Sequence, residues 1–207
     1  MISVQLTPIP RSRVVAYRDD GPLSRGMGLL VAGQLPPLPP LVVAAFVIGV
    51  LMAIGVAGSD DWAILAFAVT LLLAGPGSSA PHDGRYDWLV PPILRAIEYC
   101  CIAAVGFAHA VHPLWIFALL GAMAFHHYDL VYRLRQRVYP PPWLSTFGLG
   151  WDGRMIAVSL GVVAGWPTVG FGLLAAYLWA FFGWESLTCW LAAPRAGGEV
   201  TEAGTLD

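Results

Sequence analysis

Apolar residues in this chain come in runs and do not alternate with polar ones. Six runs, at 40–58, 61–75, 91–111, 113–132, 154–167 and 168–193, are divided by short polar or turn-forming breaks. A helix needs about 20 apolar residues to cross a bilayer. The first, third, fourth and sixth runs meet that length, and the second and fifth fall short of it. Gly58-Ser59-Asp60-Asp61, His112-Pro113 and Trp166-Pro167 read as tight connections between opposed helices. Pro36, Pro37, Pro39 and Pro40 break any preceding helix and open the first run. The pattern predicts an all-α integral membrane protein, a six-transmembrane-helix bundle over residues 36–193. Residues 1–35 read as a cytoplasmic N-terminal segment in which mildly amphipathic Leu23–Val31 lies along the membrane surface. Residues 194–207 read as a disordered acidic tail. The first 35 residues lack the charged tip and short apolar core of a cleavable signal.

Composition turns that pattern into a class. The chain is 57% hydrophobic and only 12% charged, against about 25% charged in a soluble domain. Too little polar surface remains to cover a soluble globule, and a net charge of −2 argues against a nucleic-acid partner. All 11 basic residues are arginine, a usage that suggests a GC-rich bacterial genome. Ten of them fall in the N-terminal segment, the 76–90 loop, the 133–154 loop and the tail, Arg95 lies at the start of the third run, and the intervening turns have none. Six helices with both termini cytoplasmic, in the bacterial cytoplasmic membrane, satisfy the positive-inside rule at every loop. Tryptophans suggest two interfacial belts, with Trp62, Trp115 and Trp166 at the outer ends and Trp88, Trp143, Trp151 and Trp190 at the inner ends. Cys100, Cys101 and Cys189 have no metal-type spacing and read as small buried hydrophobes.

The ionisable residues gather near the cytoplasmic ends. Asp83 and Asp87 precede the third run, and Arg95 and Glu98 lie in its first turns. His126, His127, Asp129 and Arg133 close the fourth, Asp152 and Arg154 open the fifth, and Glu185 lies late in the sixth. His126, Asp129 and Arg133 share one helical face. Intramembrane charge normally faces a bundle interior or a watery cavity. One reading is a polar pocket open to the cytoplasm, whose carboxylates hold Mg²⁺ or Mn²⁺ and whose arginines grip phosphate. The other is pairing, Arg95 with Glu98, Arg133 with Asp129 and Arg154 with Glu185, which would hold the helices in register. Pairing is as good a reading as a pocket for any one pair; for the cluster as a whole the pocket is favoured.

Several of these stretches carry a family resemblance. His82-Asp83-Gly84-Arg85, Tyr132-Arg133-Leu134-Arg135, Trp151-Asp152-Gly153-Arg154 and Trp184-Glu185-Ser186-Leu187-Thr188 follow one another in an order that resembles the CDP-alcohol phosphatidyltransferases. Those enzymes have six helices, a cytoplasm-facing site and two divalent metals, and they move a phospho-alcohol from a CDP-linked donor to an acceptor alcohol. Their motif is Asp-x-x-Asp-Gly-x-x-Ala-Arg followed by Gly-x-x-x-Asp-x-x-x-Asp. Asp83-Gly84 resembles its core, but Ala80 stands at the first aspartate, Asp87 and Trp88 at the Ala-Arg pair, and Val90 and Leu94 at the closing aspartates.

A second resemblance covers the whole chain. Gly33-Gln34-Leu35-Pro36-Pro37, Arg95-Ala96-Ile97-Glu98-Tyr99 and Phe125-His126-His127-Tyr128-Asp129-Leu130 are similar to an actinobacterial membrane family of unknown function. That family occurs as the C-terminal partner of fused proteins with a nucleotidyltransferase-like and a CDP-alcohol phosphatidyltransferase domain.

The resemblances imply a transferase-like protein of envelope phospholipid or glycolipid synthesis. Arg95, Arg133, Arg135, Asp152, Arg154 and Glu185 would line the site for a phosphorylated or CDP-linked ligand. Asp83 would hold the Mg²⁺ or Mn²⁺, with Asp87 and Glu98 as co-ligands. His126, His127 and Asp129 would serve catalysis, the imidazoles as bases near neutral pH. Membrane lipids surround the chain, and a homodimer or association with a CDP-alcohol phosphatidyltransferase is expected. The alternatives are a catalytically degenerate partner or scaffold for an active transferase, and a small transporter. Charge clustered at one face and the lack of an evident inverted repeat weigh against transport.

Overall fold

The computed structural model describes residues 11–54, 61–136 and 138–192. The expected tail, 194–207, and the turn at Gly58-Ser59-Asp60 lie outside them. The described residues are helical, in the order α1 (Arg11–Arg18), α2 (Pro22–Val31), α3 (Leu38–Ala53), α4 (Trp62–Ala74), α5 (Val90–Ala108), α6 (Pro113–Arg135), α7 (Pro142–Phe147), α8 (Gly150–Val163) and α9 (Pro167–Ala192). Proline punctuates this order. It occupies the first turn of α2, α3, α5, α6 and α7 and opens α9. The missing N–H is no loss there, because the first N–H groups of a helix have no intrahelical acceptor.

Six helices pack as a ring in the order α3, α4, α8, α9, α6, α5, with α5 also touching α4 and α8 across the centre. Lipid tails are as apolar as leucine, so hydrophobic burial does not by itself hold such helices together; close packing of small residues does much of it. Ala44, Ala66, Ala122 and Ala175 are buried at these contacts. A Cβ on Gly106 of α5 would stand 2.8 Å from Ile116 of α6 and 3.1 Å from Phe171 of α9. The outward faces carry Phe46, Leu72, Phe117, Leu160, Leu173 and Leu191, all exposed, as a lipid-facing surface requires.

Four helical stretches are long and apolar enough to cross a membrane: Trp62–Ser79, Asp87–Ala108, Pro113–Arg135 and Pro167–Leu191. This differs from the lengths read along the sequence. The first run ends as helix at Ala53 and is a shorter apolar helix. The second run gains length because Gly75–Ser79 continues α4 as a 3-10 turn, where the sequence suggested a break. α8 spans only 14 residues.

Two further expectations change. Trp62 and Trp151 are fully buried and belong to the packed interior, whereas Trp88, Trp115, Trp143 and Trp166 are exposed as belt residues should be. The N-terminal segment, expected along the membrane surface, also packs on the bundle. α2 packs on the 3-10 turn after α4 through Ser24 and Gly28, and the Ser78 hydroxyl donates to the Ser24 carbonyl at 2.7 Å. Gly28 is required there, since a Cβ would run into the hydroxyls of Ser78 and Ser79. Leu29 and Leu30 face outward, so the amphipathic pattern is real, with the small residues making the intramolecular face.

Candidate functional site

The site is organised by the link between α1 and α2, Asp19-Asp20-Gly21. Asp19 has a left-handed backbone, φ 50°, which aspartate tolerates better than most residues. That turn directs the link onto the start of α8. There Leu149 (φ 66°) and Gly150 (φ 58°) are also left-handed, and a Cβ on Gly150 would meet the backbone of Gly21. The Trp151 N–H donates to the Asp19 carbonyl at 3.1 Å. Its indole Nε1 donates to Asp20 Oδ1 at 2.8 Å. In return Asp152 Oδ2 accepts the Ser24 N–H at 2.7 Å, capping α2 from another helix. Carboxylates at a helix N-terminus are also favoured by its dipole.

Behind the link lies a chain of buried ion pairs. Arg154, fully buried, donates through Nε to Glu98 Oε1 at 2.7 Å and through Nη2 to Asp19 Oδ2 at 2.8 Å. The other Glu98 oxygen takes Arg95 at 2.5 Å. Arg95 also donates to the carbonyls of Tyr17 and Arg18, which are acceptors left open at the end of α1. Arg18 grips Asp20 at 2.7 Å and reaches the Ala74 carbonyl at 2.9 Å. A second network joins α6 to α9. Arg133 is bidentate to Glu185, both bonds 2.7 Å, and pairs with Asp129 at 2.5 Å. Trp190 and Ser186 also donate to Asp129.

These charges decide titration outside the spans. Burial by itself would raise the Asp19 carboxyl; Arg154, His126 and His127 outweigh it and hold Asp19 well below the usual carboxylate range. His82 shifts down through burial and the neighbouring Arg18 guanidinium. Its Nδ1 lies 2.8 Å from the Ala80 carbonyl, which only accepts, and Nε2 lies 3.4 Å from Arg18, which only donates. The neutral Nδ1–H tautomer meets both demands.

His126 and His127 approach Asp19 from α6. Each Nε2 lies 3.4 Å from Asp19 Oδ2, yet both are buried without a hydrogen-bond partner. His126 stacks on Phe182 with ring centroids 4.0 Å apart. His127 Nδ1 meets the Tyr99 hydroxyl at 2.8 Å. Ligand atoms of Asp19, His126 and His127 all lie within 4.8 Å of one another.

Two cavities flank the trio. A cleft of about 480 Å³ has Asp19 and His126 in its wall, together with Asp20, Arg25, Ser79 and Ser145. A groove of about 340 Å³, lined by apolar side chains such as Trp88, Pro91 and Val131, reaches His127 and Arg95 from the other side. Arg25 donates to the hydroxyls of Ser145 and Thr146. Unlike Arg18, Arg95, Arg133 and Arg154, it has no carboxylate partner among the described residues.

The residues expected from the sequence are therefore sorted into different places. His126 and His127 meet at the trio, whereas Asp129 belongs to the Arg133–Glu185 network. Arg95, Arg133 and Arg154 are held by carboxylates and do not face the cleft as free cations. The pairing of Arg154 with Glu185 is corrected: Arg154 takes Glu98 and Asp19, and Glu185 takes Arg133. Arg135 is exposed at the end of α6. Asp152 is buried as the cap of α2. Asp83, Asp87 and Glu98 are not brought together. Asp83 is exposed, Asp87 accepts the Gly84 N–H at 2.9 Å, and both oxygens of Glu98 are occupied by arginines. This set does not fit a shared divalent ion. Sequence reasoning missed Asp19, Asp20 and Tyr99, and used Arg18 and Arg25 only as marks of topology. The available signal was Asp19-Asp20-Gly21-Pro22, two acids set against a glycine–proline helix start in a chain with only 13 acidic residues.

Neither the curated proteins nor the solved structures contain a significant match to the chain. A family of unknown function, DUF5941, matches over residues 11–205, a range that includes α1, the acidic link and all six helices of the ring. The chain belongs to that family.

Proposed function

We propose that this chain is a multi-pass membrane protein of envelope phospholipid or glycolipid synthesis that binds a phosphorylated or CDP-linked ligand in the cleft beside α1 and α2, at the cytoplasmic face. The observation that carries the reading is Arg25. It stands in the wall of a cleft of about 480 Å³, bonded to neutral hydroxyls while the other buried or half-buried arginines of the site are neutralised. An arginine of that kind, beside Ser79 and Ser145, offers donors to phosphate oxygens. The arginine-bearing loops on this side of the bundle support a cytoplasmic orientation. Binding, not turnover, is what this arrangement supports.

The melting temperature of the purified chain in nanodiscs tests the reading. Glycerol 3-phosphate or a CDP-linked alcohol should raise it, and Arg25→Gln should weaken the apparent affinity by about tenfold or more, the scale of a charged hydrogen bond. A folded wild-type protein indifferent to both compounds and to inorganic phosphate would remove the reading. The second reading, a non-catalytic partner subunit of a CDP-alcohol phosphatidyltransferase, is favoured by the closure of Arg95, Arg133 and Arg154 on carboxylates. Co-purification of a transferase with a chain that binds no phosphorylated compound would select it.

A further inference from the structure

The geometry points to a transition-metal site at Asp19, His126 and His127, with Zn²⁺ the first candidate and an open coordination position toward the cleft. This inference stands independently of the ligand proposed for the cleft.

Asp19 Oδ2 has Arg154 Nη2 at 2.8 Å, and both histidine Nε2 atoms at 3.4 Å. A carboxylate oxygen has about two lone-pair directions, and Arg154 uses one. Three donors on that oxygen would be one too many, and neither imidazole makes a hydrogen bond to it. Two buried ring nitrogens are therefore aimed at a point they do not bond, and His126 is 4% exposed. A buried polar nitrogen left in this state is costly. A cation between the three atoms resolves all of it. It takes the second lone pair of Oδ2 and the lone pair of each Nε2.

The spacing agrees. With metal–ligand bonds of about 2.0–2.1 Å, the donors of a tetrahedral zinc site stand about 3.4 Å apart. The observed Nε2–Oδ2 separations are both 3.4 Å, and all three ligand atoms lie within 4.8 Å of one another. Two imidazoles select a transition metal over Mg²⁺, which prefers an oxygen shell. The outer layer is also in place. In the Nδ1–H tautomer His127 donates a hydrogen bond to the Tyr99 oxygen across 2.8 Å, leaving the Nε2 lone pair for the metal. Arg154 orients Asp19 and is itself held in place by Glu98. Phe182 fixes the plane of His126. Three protein ligands leave a fourth position free, as in zinc sites that hold water or substrate. Asp19 and His126 line the cleft, so that position faces it. A divalent ion with one carboxylate leaves a net positive charge, which suits an anion there.

The test uses the full chain, purified without a histidine tag and stripped with a chelator. We expect one Co²⁺ per chain with visible d–d absorption, displacement of that ion by Zn²⁺, and a melting temperature raised by Zn²⁺ but not by Mg²⁺. His127→Gln and Asp19→Asn should weaken Co²⁺ affinity by more than a hundredfold. Tyr99→Phe should weaken it by about 10–100-fold, the usual effect of an outer-layer partner, and it keeps the fold testable where Asp19→Asn unfolds. Asp83→Asn should bind as wild type does. A folded wild-type chain that takes up neither Co²⁺ nor Zn²⁺ overturns the proposal, as does undiminished binding in His127→Gln.

Discussion

At the scale of single residues, the molecule assigns opposite tasks to side chains of the same type. Arg154 is enclosed and spends its donors on Glu98, Asp19 and the Gly148 carbonyl, whereas Arg25 meets hydroxyls and, among the described residues, no carboxylate. Nothing in the letters around them separates the two. Their difference comes from which acids the fold delivers, and Asp19 arrives from a link 135 residues away in the chain. His82 gives a residue-scale prediction. It is neutral in the folded protein because burial and Arg18 lower its affinity for protons. In the unfolded chain it titrates near its ordinary value, about 6.5. Between that value and its lower folded one the unfolded state binds more protons, so the His82 contribution to stability is complete above about pH 6.5 and is lost as pH falls toward the folded pKa. The melting temperature of wild type should therefore drop between pH 7 and pH 5 more than that of His82→Gln, which keeps an amide for Arg18 and Ala80. Parallel curves for the two proteins would show that His82 has no part in the acid response.

At the scale of elements, ion pairs act as fasteners between helices. Arg133 ties α6 to α9 through two bonds of 2.7 Å to Glu185, and Arg133 is 1% exposed. Removing one member leaves a buried charge uncompensated, at a cost of about 3–5 kcal/mol, whereas replacing both by apolar residues of similar volume is often near neutral. Arg133→Met should accordingly lower stability strongly. Arg133→Met with Glu185→Leu should recover much of the loss, read by reversible unfolding in detergent or by melting temperature. A double variant as unstable as the single one would mean that Asp129, left without its arginine, dominates the network. The helices themselves were legible from their apolar runs, because length and hydropathy do not depend on neighbours. Their ends were not. Whether Gly75-Pro76-Gly77 stops α4 or continues it as a 3-10 turn depends on the packing of α2 against it. α1 has no apolar run to announce it, and it holds its place through Arg18 and Val14.

At the scale of the whole molecule, the N-terminal elements complete the bundle. Residues 1–35, read along the sequence as a cytoplasmic segment, contribute Asp19, Asp20 and Ser24 to bonds with α8. Deleting residues 1–21 should thus do more than trim a surface. Arg154 loses Asp19, Arg95 loses its α1 carbonyls, and the cleft loses a wall. We expect the shortened chain to melt well below wild type and to lose Zn²⁺ uptake. Unchanged melting would return the segment to the status the sequence suggested.

All-helical class, helices long and apolar enough to cross a membrane, and the gathering of charge near their ends were determined by the sequence alone, because they depend on local hydropathy and on the cost of charge in a bilayer. His126 and His127 were legible as candidates for the same reason. The tertiary structure alone decided which carboxylate they meet, which arginines are neutralised and that Asp83, Asp87 and Glu98 are kept apart. Ion pairing is a matter of a few ångströms between groups remote in sequence, and the energy of each pair depends on burial that only the assembled helices create.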